Sequence, residues 1–269
     1  MTQLLPLNGG AGYGFLHRAD ARQSPRATVL MLNAGLIHRV GPFRMNIDLA
    51  DRLGQSGIDL FRFDFPAVGD APAGGANRLE DQVSAAMDAV AAVNGCQQFV
   101  VGGLCSAADI AWKLPASDPR VRGLILLDPC AVRGSWFRLG QLRHFFSRPS
   151  SEWMRMLHRR LQRGIGNGDA TPSGRDWPSD REFIVGNRNM ATAGIAMYVL
   201  YTAGVTEYFL HSQQMHAGFP GADSNPHVRL LFRPDIDHIL FVPQQRMEIL
   251  DDITTWLDAW LPAQAPVPD

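Results

Sequence analysis

The stretch Phe99-Val100-Val101-Gly102-Gly103-Leu104-Cys105-Ser106-Ala107-Ala108 constrains the chain more than any other. A β-branched and aromatic run ends in two glycines, then one reactive side chain, then small residues able to open a helix. That order predicts strand, sharp turn and helix, with Cys105 at the tip. A side chain held at such a tip sits on strained backbone, and the positions two before and two after it must be small for strand and helix to approach. Gly103 and Ala107 meet this demand. The new helix aims its N-terminal dipole at Cys105, which favours a thiolate and a neighbouring oxyanion. Taken alone, Cys105 also fits a buried small hydrophobe, the usual fate of a free cysteine. The order of the remaining chain separates the two readings.

Strand and helix patterns alternate through the first half. Residues 11–19 read as an early strand and Arg22 to Arg26 as a polar turn. Thr28 to Asn33 is nearly all apolar, as suits a strand buried on both faces of a parallel sheet. Phe43 to Gln55 has helical spacing, Ile58 to Phe63 reads as a strand, and Leu79 to Val93 as an amphipathic helix. Gln97 to Val101 feeds the turn, Ser106 to Leu114 leaves it, and Val121 to Leu127 is a further buried strand ending at Asp128-Pro129. This alternation predicts a doubly wound, mostly parallel sheet. A chain of 269 residues can bury one large core of that kind.

The pattern then breaks. Residues 133–163 hold eight arginines against one acid, Glu152, interleaved with aromatic and aliphatic residues, and predict strongly basic amphipathic helices. Residues 164–181 are rich in Gly, Pro and Asp and read as a loop. Alternation resumes with a strand over 195–202, a short helix from Glu207 to Met215, a last strand over 227–232, and a C-terminal helix from Pro243 to Trp260. The Pro-rich tail from Pro262 reads as disordered. The expected organisation is a core over 1–130, a basic helical cap over 131–194, and the rest of the core over 195–269. A cap is favoured because the insert follows the C-terminal end of a strand, where ligands bind in open α/β sheets.

Composition bounds the partners. The formal net charge is -1, with 46% hydrophobic and 19% charged residues, so nothing global points to nucleic acid. Three cysteines, an odd and sparse count, fit a reducing compartment, and no segment approaches the roughly 18 apolar residues of a membrane span. A cytoplasmic protein is expected. No H-x-x-x-H or C-x-x-C spacing and no phosphate-cradling glycine loop occurs, so neither metal nor cofactor is expected. The basic insert points to an anionic partner: a phosphopantetheine or CoA thioester, an acidic carrier protein, or a membrane surface.

A nucleophile needs a base, and the base an orienting acid. Of eight histidines, His238 alone follows the last strand in an Asp-His-x-x-Phe context. The acid is sought just past the preceding strand, where Glu207 is the first carboxylate. Asp128, at the end of an earlier strand, is the alternative, and a Cys–His pair without an acid is a third arrangement. Asp64 and Asp70 are expected to tie loops. Amides of Ser106 and of Leu36 or Gly35 are the candidate oxyanion donors.

Together these residues make the chain similar to the α/β-hydrolase superfamily over nearly its whole length. More narrowly it resembles the exosortase A system-associated hydrolases. That resemblance rests on Arg39-Val40-Gly41-Pro42-Phe43-Arg44, Arg62-Phe63-Asp64 with Gly69-Asp70, Gly103-Leu104-Cys105, the basic aromatic segment from Phe137, and Asp237-His238-Ile239-Leu240-Phe241. It departs from the subfamily at Ser106-Ala107, and it lacks an aspartate soon after Thr202. The pairing of Cys105 with His238 points to acyl transfer from an ester or thioester through Cys105. The acceptor is either water or, in an acyltransferase, an alcohol or amine. A non-catalytic binding protein of the same fold is the competing class.

Overall fold

The computed structural model describes residues 1–7, 12–20, 25–74, 78–146 and 175–262. Eight strands form one sheet: β1 (Thr2–Leu7), β2 (Gly12–His17), β3 (Thr28–Leu32), β4 (Asp59–Phe63), β5 (Phe99–Leu104), β6 (Val121–Leu127), β7 (Ala196–Thr202) and β8 (Val228–Arg233). Their order is β1-β2-β4-β3-β5-β6-β7-β8, antiparallel at β1/β2 and β2/β4 and parallel beyond. The expected mostly parallel sheet is therefore present. β3, β5 and β7 are buried along their whole length, as their unbroken apolar runs require.

The helices are α1 (Met45–Gln55), α2 (Leu79–Asn94), α3 (Ser106–Lys113), α4 (Ser135–Phe146), α5 (Asp180–Thr192), α6 (Gln213–Gly218) and α7 (Pro243–Trp260). The chain steps outward from β3 through α1 to β4, then back across β3 through α2 to β5. Right-handed crossovers put those two helices on opposite faces. α1 packs with α7, and α2 with α3. No helix among the described residues is long and apolar enough to cross a membrane.

Two elements differ from the expectation. β1 carries little local signal: its Thr-Gln-Leu-Leu-Pro-Leu alternates weakly, and pairing with β2 supplies what the local pattern lacks. The helix expected from Glu207 lies instead at Gln213–Gly218, because the chain after β7 makes a 3-10 turn over Ala203–Val205 first. Within the segment read as an insert, α5 is a packed helix, with Phe183, Asn187, Met190 and Ala191 buried. Its start is well specified: the Ser179 hydroxyl accepts from the Glu182 amide and the Glu182 carboxylate accepts from the Ser179 amide, a full capping box. α4 carries part of the expected basic aromatic pattern, with Phe137 buried and Trp136, Leu139 and Leu142 exposed. The remaining basic positions from Arg148 to Arg163, most of the Gly/Pro/Asp-rich stretch and the tail beyond Pro262 lie outside the described residues.

Candidate active site

Cys105 stands at the C-terminal end of β5, between that strand and α3, with φ 58° and ψ −122°. The backbone is over-determined. The Cys105 amide donates to the Leu127 carbonyl at 2.8 Å, extending the β5/β6 ladder, while its carbonyl already accepts from Ala108 and Asp109 of α3. Gly103 is required here: a Cβ on it would lie 2.4 Å from the Ala107 Cβ. The small-residue reading of this turn thus has a direct steric basis.

Three side chains meet above the strand ends. His238 follows β8, and its Nδ1 lies 2.7 Å from Oδ2 of Asp128. The Cys105 thiol is its other hydrogen-bonding partner. Asp128 directly follows β6 and is fully buried. Its Oδ1 accepts from the Thr202 amide at 2.7 Å and its Oδ2 from the Thr202 hydroxyl at 2.7 Å. The carboxylate is thereby aimed from the end of one strand, braced by the end of the next. The turn after β7 passes so close that a Cβ on Gly204 would lie 2.3 Å from the His238 Cβ.

Glu207, the first choice of acid from sequence, is exposed and has no hydrogen bond or ion pair among the described residues. The structure instead brings the alternative, Asp128, against His238. The intervening 3-10 turn is the reason: it carries Glu207 past the histidine, and Gly204 occupies the place beside it.

Electrostatics follow the geometry. Hydrogen bonds to Asp128 and to Cys105 raise the His238 imidazole to about 9, against the cost of burial. Burial opposes ionisation of Cys105. The His238 hydrogen bond, the charges of Arg175 and His238, and the Ser106 amide outweigh it and hold the thiol below its ordinary range. The Ser106 hydroxyl accepts from the Gly35 amide at 3.1 Å, fastening the loop after β3 to the start of α3. Of the two loop amides, Gly35 is therefore engaged, whereas that of Leu36 has no acceptor among the described residues.

Asp64 anchors that loop. It accepts from the amides of Arg39 (2.7 Å) and Asp70 (3.1 Å), from Asn33, and from the Arg39 guanidinium, which also reaches Asp70 at 2.7 Å. His38 joins Asp64 and Asp70 in a group compact enough for a cation. The Arg39 guanidinium already neutralises both carboxylates, so these residues do not fit a metal.

Sequence reasoning missed Arg175. It pairs with Asp109 of α3 at 2.6 Å, and donates to the Tyr208 hydroxyl at 3.1 Å and the Asp128 carbonyl at 3.3 Å. Asp109 also accepts from the Trp177 indole at 3.0 Å and the Cys130 amide at 2.8 Å. The only signal was an Arg and a Trp-Pro pair inside a stretch that otherwise reads as loop.

Solved structures of the same architecture cover nearly all of this chain. An esterase from Pyrococcus furiosus superposes with a TM-score of 0.60 at 12% identity, over 97% of this chain and 91% of that one. An α/β serine hydrolase without a lid from Xanthomonas campestris gives 0.57 at 15% identity, over 98% and 96%. The chain has the α/β-hydrolase fold. A thermophilic esterase from Thermogutta terrifontis shares that fold, with a TM-score of 0.55 at 15% identity over 97% and 100%. No family model matches the chain, and no curated protein does. Cys105 and Asp128 directly follow β5 and β6, and His238 lies in the loop after β8.

Proposed function

We propose that the protein is a hydrolase of esters or thioesters that works through an acyl group on Cys105. The carrying observation is the continuous hydrogen-bonded row Cys105–His238–Asp128, with the cysteine on a strained turn at a helix N-terminus. Structural neighbours described as esterases support the same class of chemistry. The Gly103-Leu104-Cys105 turn agrees with the resemblance to exosortase A system-associated hydrolases.

The Cys105 thiolate attacks the carbonyl carbon, and the tetrahedral oxyanion is held by the amides of Ser106 and Leu36. Each such donor is worth roughly 3 kcal/mol in comparable sites. The bond to the leaving group breaks as His238 passes its Nε2 proton to the departing oxygen or sulfur. Neutral His238 then takes a proton from water, which attacks the thioester carbonyl. Collapse expels the thiolate and releases the carboxylic acid. Asp128 keeps the other ring nitrogen protonated and the imidazole in register throughout.

The test is intact mass after brief exposure to activated acyl esters and acyl thioesters, beside Cys105→Ala. The expected outcome is a mass gain on the wild-type protein only, decaying with time. A gain that persists until an alcohol or amine is added would make the protein an acyltransferase. Absence of any adduct, together with alkylation of Cys105 following an ordinary thiol titration, would make it a binding protein of this fold.

A further inference from the structure

Asp128 faces His238 from a backbone at φ 51°. A residue other than glycine keeps such a conformation only where its surroundings over-determine it. The Asp128 amide is held within the sheet, donating to the Leu200 carbonyl at 2.7 Å. Its carbonyl is held by two side-chain donors, the Tyr208 hydroxyl at 3.0 Å and Arg175 Nη2 at 3.3 Å. Arg175 Nη1 also donates to the Tyr208 hydroxyl, at 3.1 Å. A guanidinium only donates, so the hydroxyl accepts there and gives its own proton to the carbonyl. Burial pushes the Tyr208 phenol well up, so it keeps that proton. Arg175, Tyr208 and the Asp128 carbonyl thus close a ring of hydrogen bonds.

The guanidinium also reaches α3. Its Nε donates to Oδ2 of Asp109 at 2.7 Å, and Nη2 lies 2.6 Å from the same carboxylate oxygen. Asp109 is one turn beyond Cys105, and its amide donates to the Cys105 carbonyl at 3.3 Å. Its Oδ1 accepts from the Cys130 amide at 2.8 Å. One guanidinium therefore ties the helix that leaves Cys105 to the segment that begins at Asp128. Both partners of the ion pair are buried, and the rings of Trp177 and Tyr208 flank the guanidinium at 4.9 and 5.3 Å. A buried ion pair adds little net stability over apolar residues of the same shape. What distinguishes arginine here is its planar fork, which reaches a carboxylate, a phenol and a carbonyl at once.

We propose that Arg175 is a positioning residue for the reaction: with Tyr208 it fixes the Asp128 backbone and so keeps the carboxylate on His238. The proposal rests on the Cys105–His238–Asp128 reading of the function and deepens it. Arg175 acts through Asp128 and takes no part in bond making or breaking.

Two mild substitutions test this. Arg175→Lys keeps a charge beside Asp109 but loses the fork, and Tyr208→Phe removes the other donor with little change of shape. The control is Ile58→Val, a loss of one buried methylene just before β4, at the opposite end of the sheet from the strand ends that carry the site. With p-nitrophenyl butyrate, kcat should fall about tenfold or more in Arg175→Lys and about threefold or more in Tyr208→Phe, with KM within about twofold of wild type. The second readout is the titration of the His238 Cε1 proton by NMR. The ionisable groups facing that ring are Asp128 from the end of β6 and Cys105 from the end of β5. In both variants the midpoint should fall by about half a unit or more, because the carboxylate no longer holds the charged ring as closely. Ile58→Val should lower thermal stability and leave kcat and the His238 midpoint unchanged. Wild-type kcat in Arg175→Lys overturns the proposal, since charge alone would then suffice. A loss of kcat with the His238 midpoint unmoved also overturns it, since Arg175 would then serve the fold or the thiol and not the acid. Should one variant fail to fold, the other decides by the same two readouts. A wild-type protein that turns over no ester refutes the hydrolase reading, and the His238 midpoints still decide whether Arg175 and Tyr208 place Asp128.

Discussion

At the scale of single residues, the acid is the informative position. Asp128 adopts φ 51°, uncommon for a residue other than glycine. That conformation turns its carboxylate back under His238, where Thr202 holds it with two bonds. Asp128→Asn would place an amide against an imidazole nitrogen that now faces an acceptor. We expect esterase turnover to fall on the order of 10²-fold or more, and the His238 titration to move down from about 9 by NMR. Glu207→Gln should change turnover by no more than about twofold, as for other exposed positions without partners. The opposite ranking would return the acid role to Glu207. Cys105 and His238 were both legible from sequence, because a turn motif and a position after the last strand single them out. Choosing between Asp128 and Glu207 was not possible in that way. Both follow strands, and only the path of the backbone after Thr202 decides which one reaches the histidine.

At the scale of elements, the strand–turn–helix unit depends on the closeness of β5 and α3. Gly103→Ala would force its new methyl to within 2.4 Å of the Ala107 Cβ unless strand or helix moves. Overpacking of this kind costs about 1–3 kcal/mol, and any relief by backbone shift also displaces Cys105. The expected outcome in a denaturant titration is a lower midpoint with an unchanged slope. Acylation of Cys105 should slow at the same time. A variant of unaltered stability and rate would show that the turn tolerates a wider spacing than the sterics imply. The α5 helix teaches a related lesson. Its capping box, Ser179 with Glu182, was present in the sequence within a segment read as insert. Proximity to a Gly/Pro-rich stretch masked a good start signal.

At the scale of the whole molecule, the sheet edge carries a pH-sensitive junction. His17 on β2 accepts at Nε2 from the Arg62 guanidinium of β4 at 2.9 Å and meets the Thr2 hydroxyl of β1 at 3.2 Å. Burial and the Arg62 charge lower the imidazole to about 4. The unfolded chain takes up this proton near 6.5, whereas the folded one refuses it down to about 4. Folding stability therefore falls as pH drops through that window, by up to about 3 kcal/mol from this group. His238 has the opposite sign: its contribution is complete below 6.5 and is lost as pH rises through about 9. Thermal melts of wild type and His17→Gln between pH 7 and 4 test the first effect. The variant should lose less stability across that range, since glutamine still accepts from Arg62 and binds no proton. Parallel curves for the two proteins would rule it out.

The sequence by itself determined the mostly parallel sheet, the cysteine turn and the histidine after the last strand. Each is encoded locally, in an unbroken apolar run, in small residues two either side of a cysteine, or in chain order. Tertiary structure alone decided which carboxylate faces His238 and where Arg175 lies. These depend on which strand ends become neighbours: β6 beside β7 brings Thr202 to Asp128, and Arg175, 66 residues from Asp109, closes against it. No local pattern records such distances, because partners drawn together by burial of a common core leave no periodicity in the chain between them.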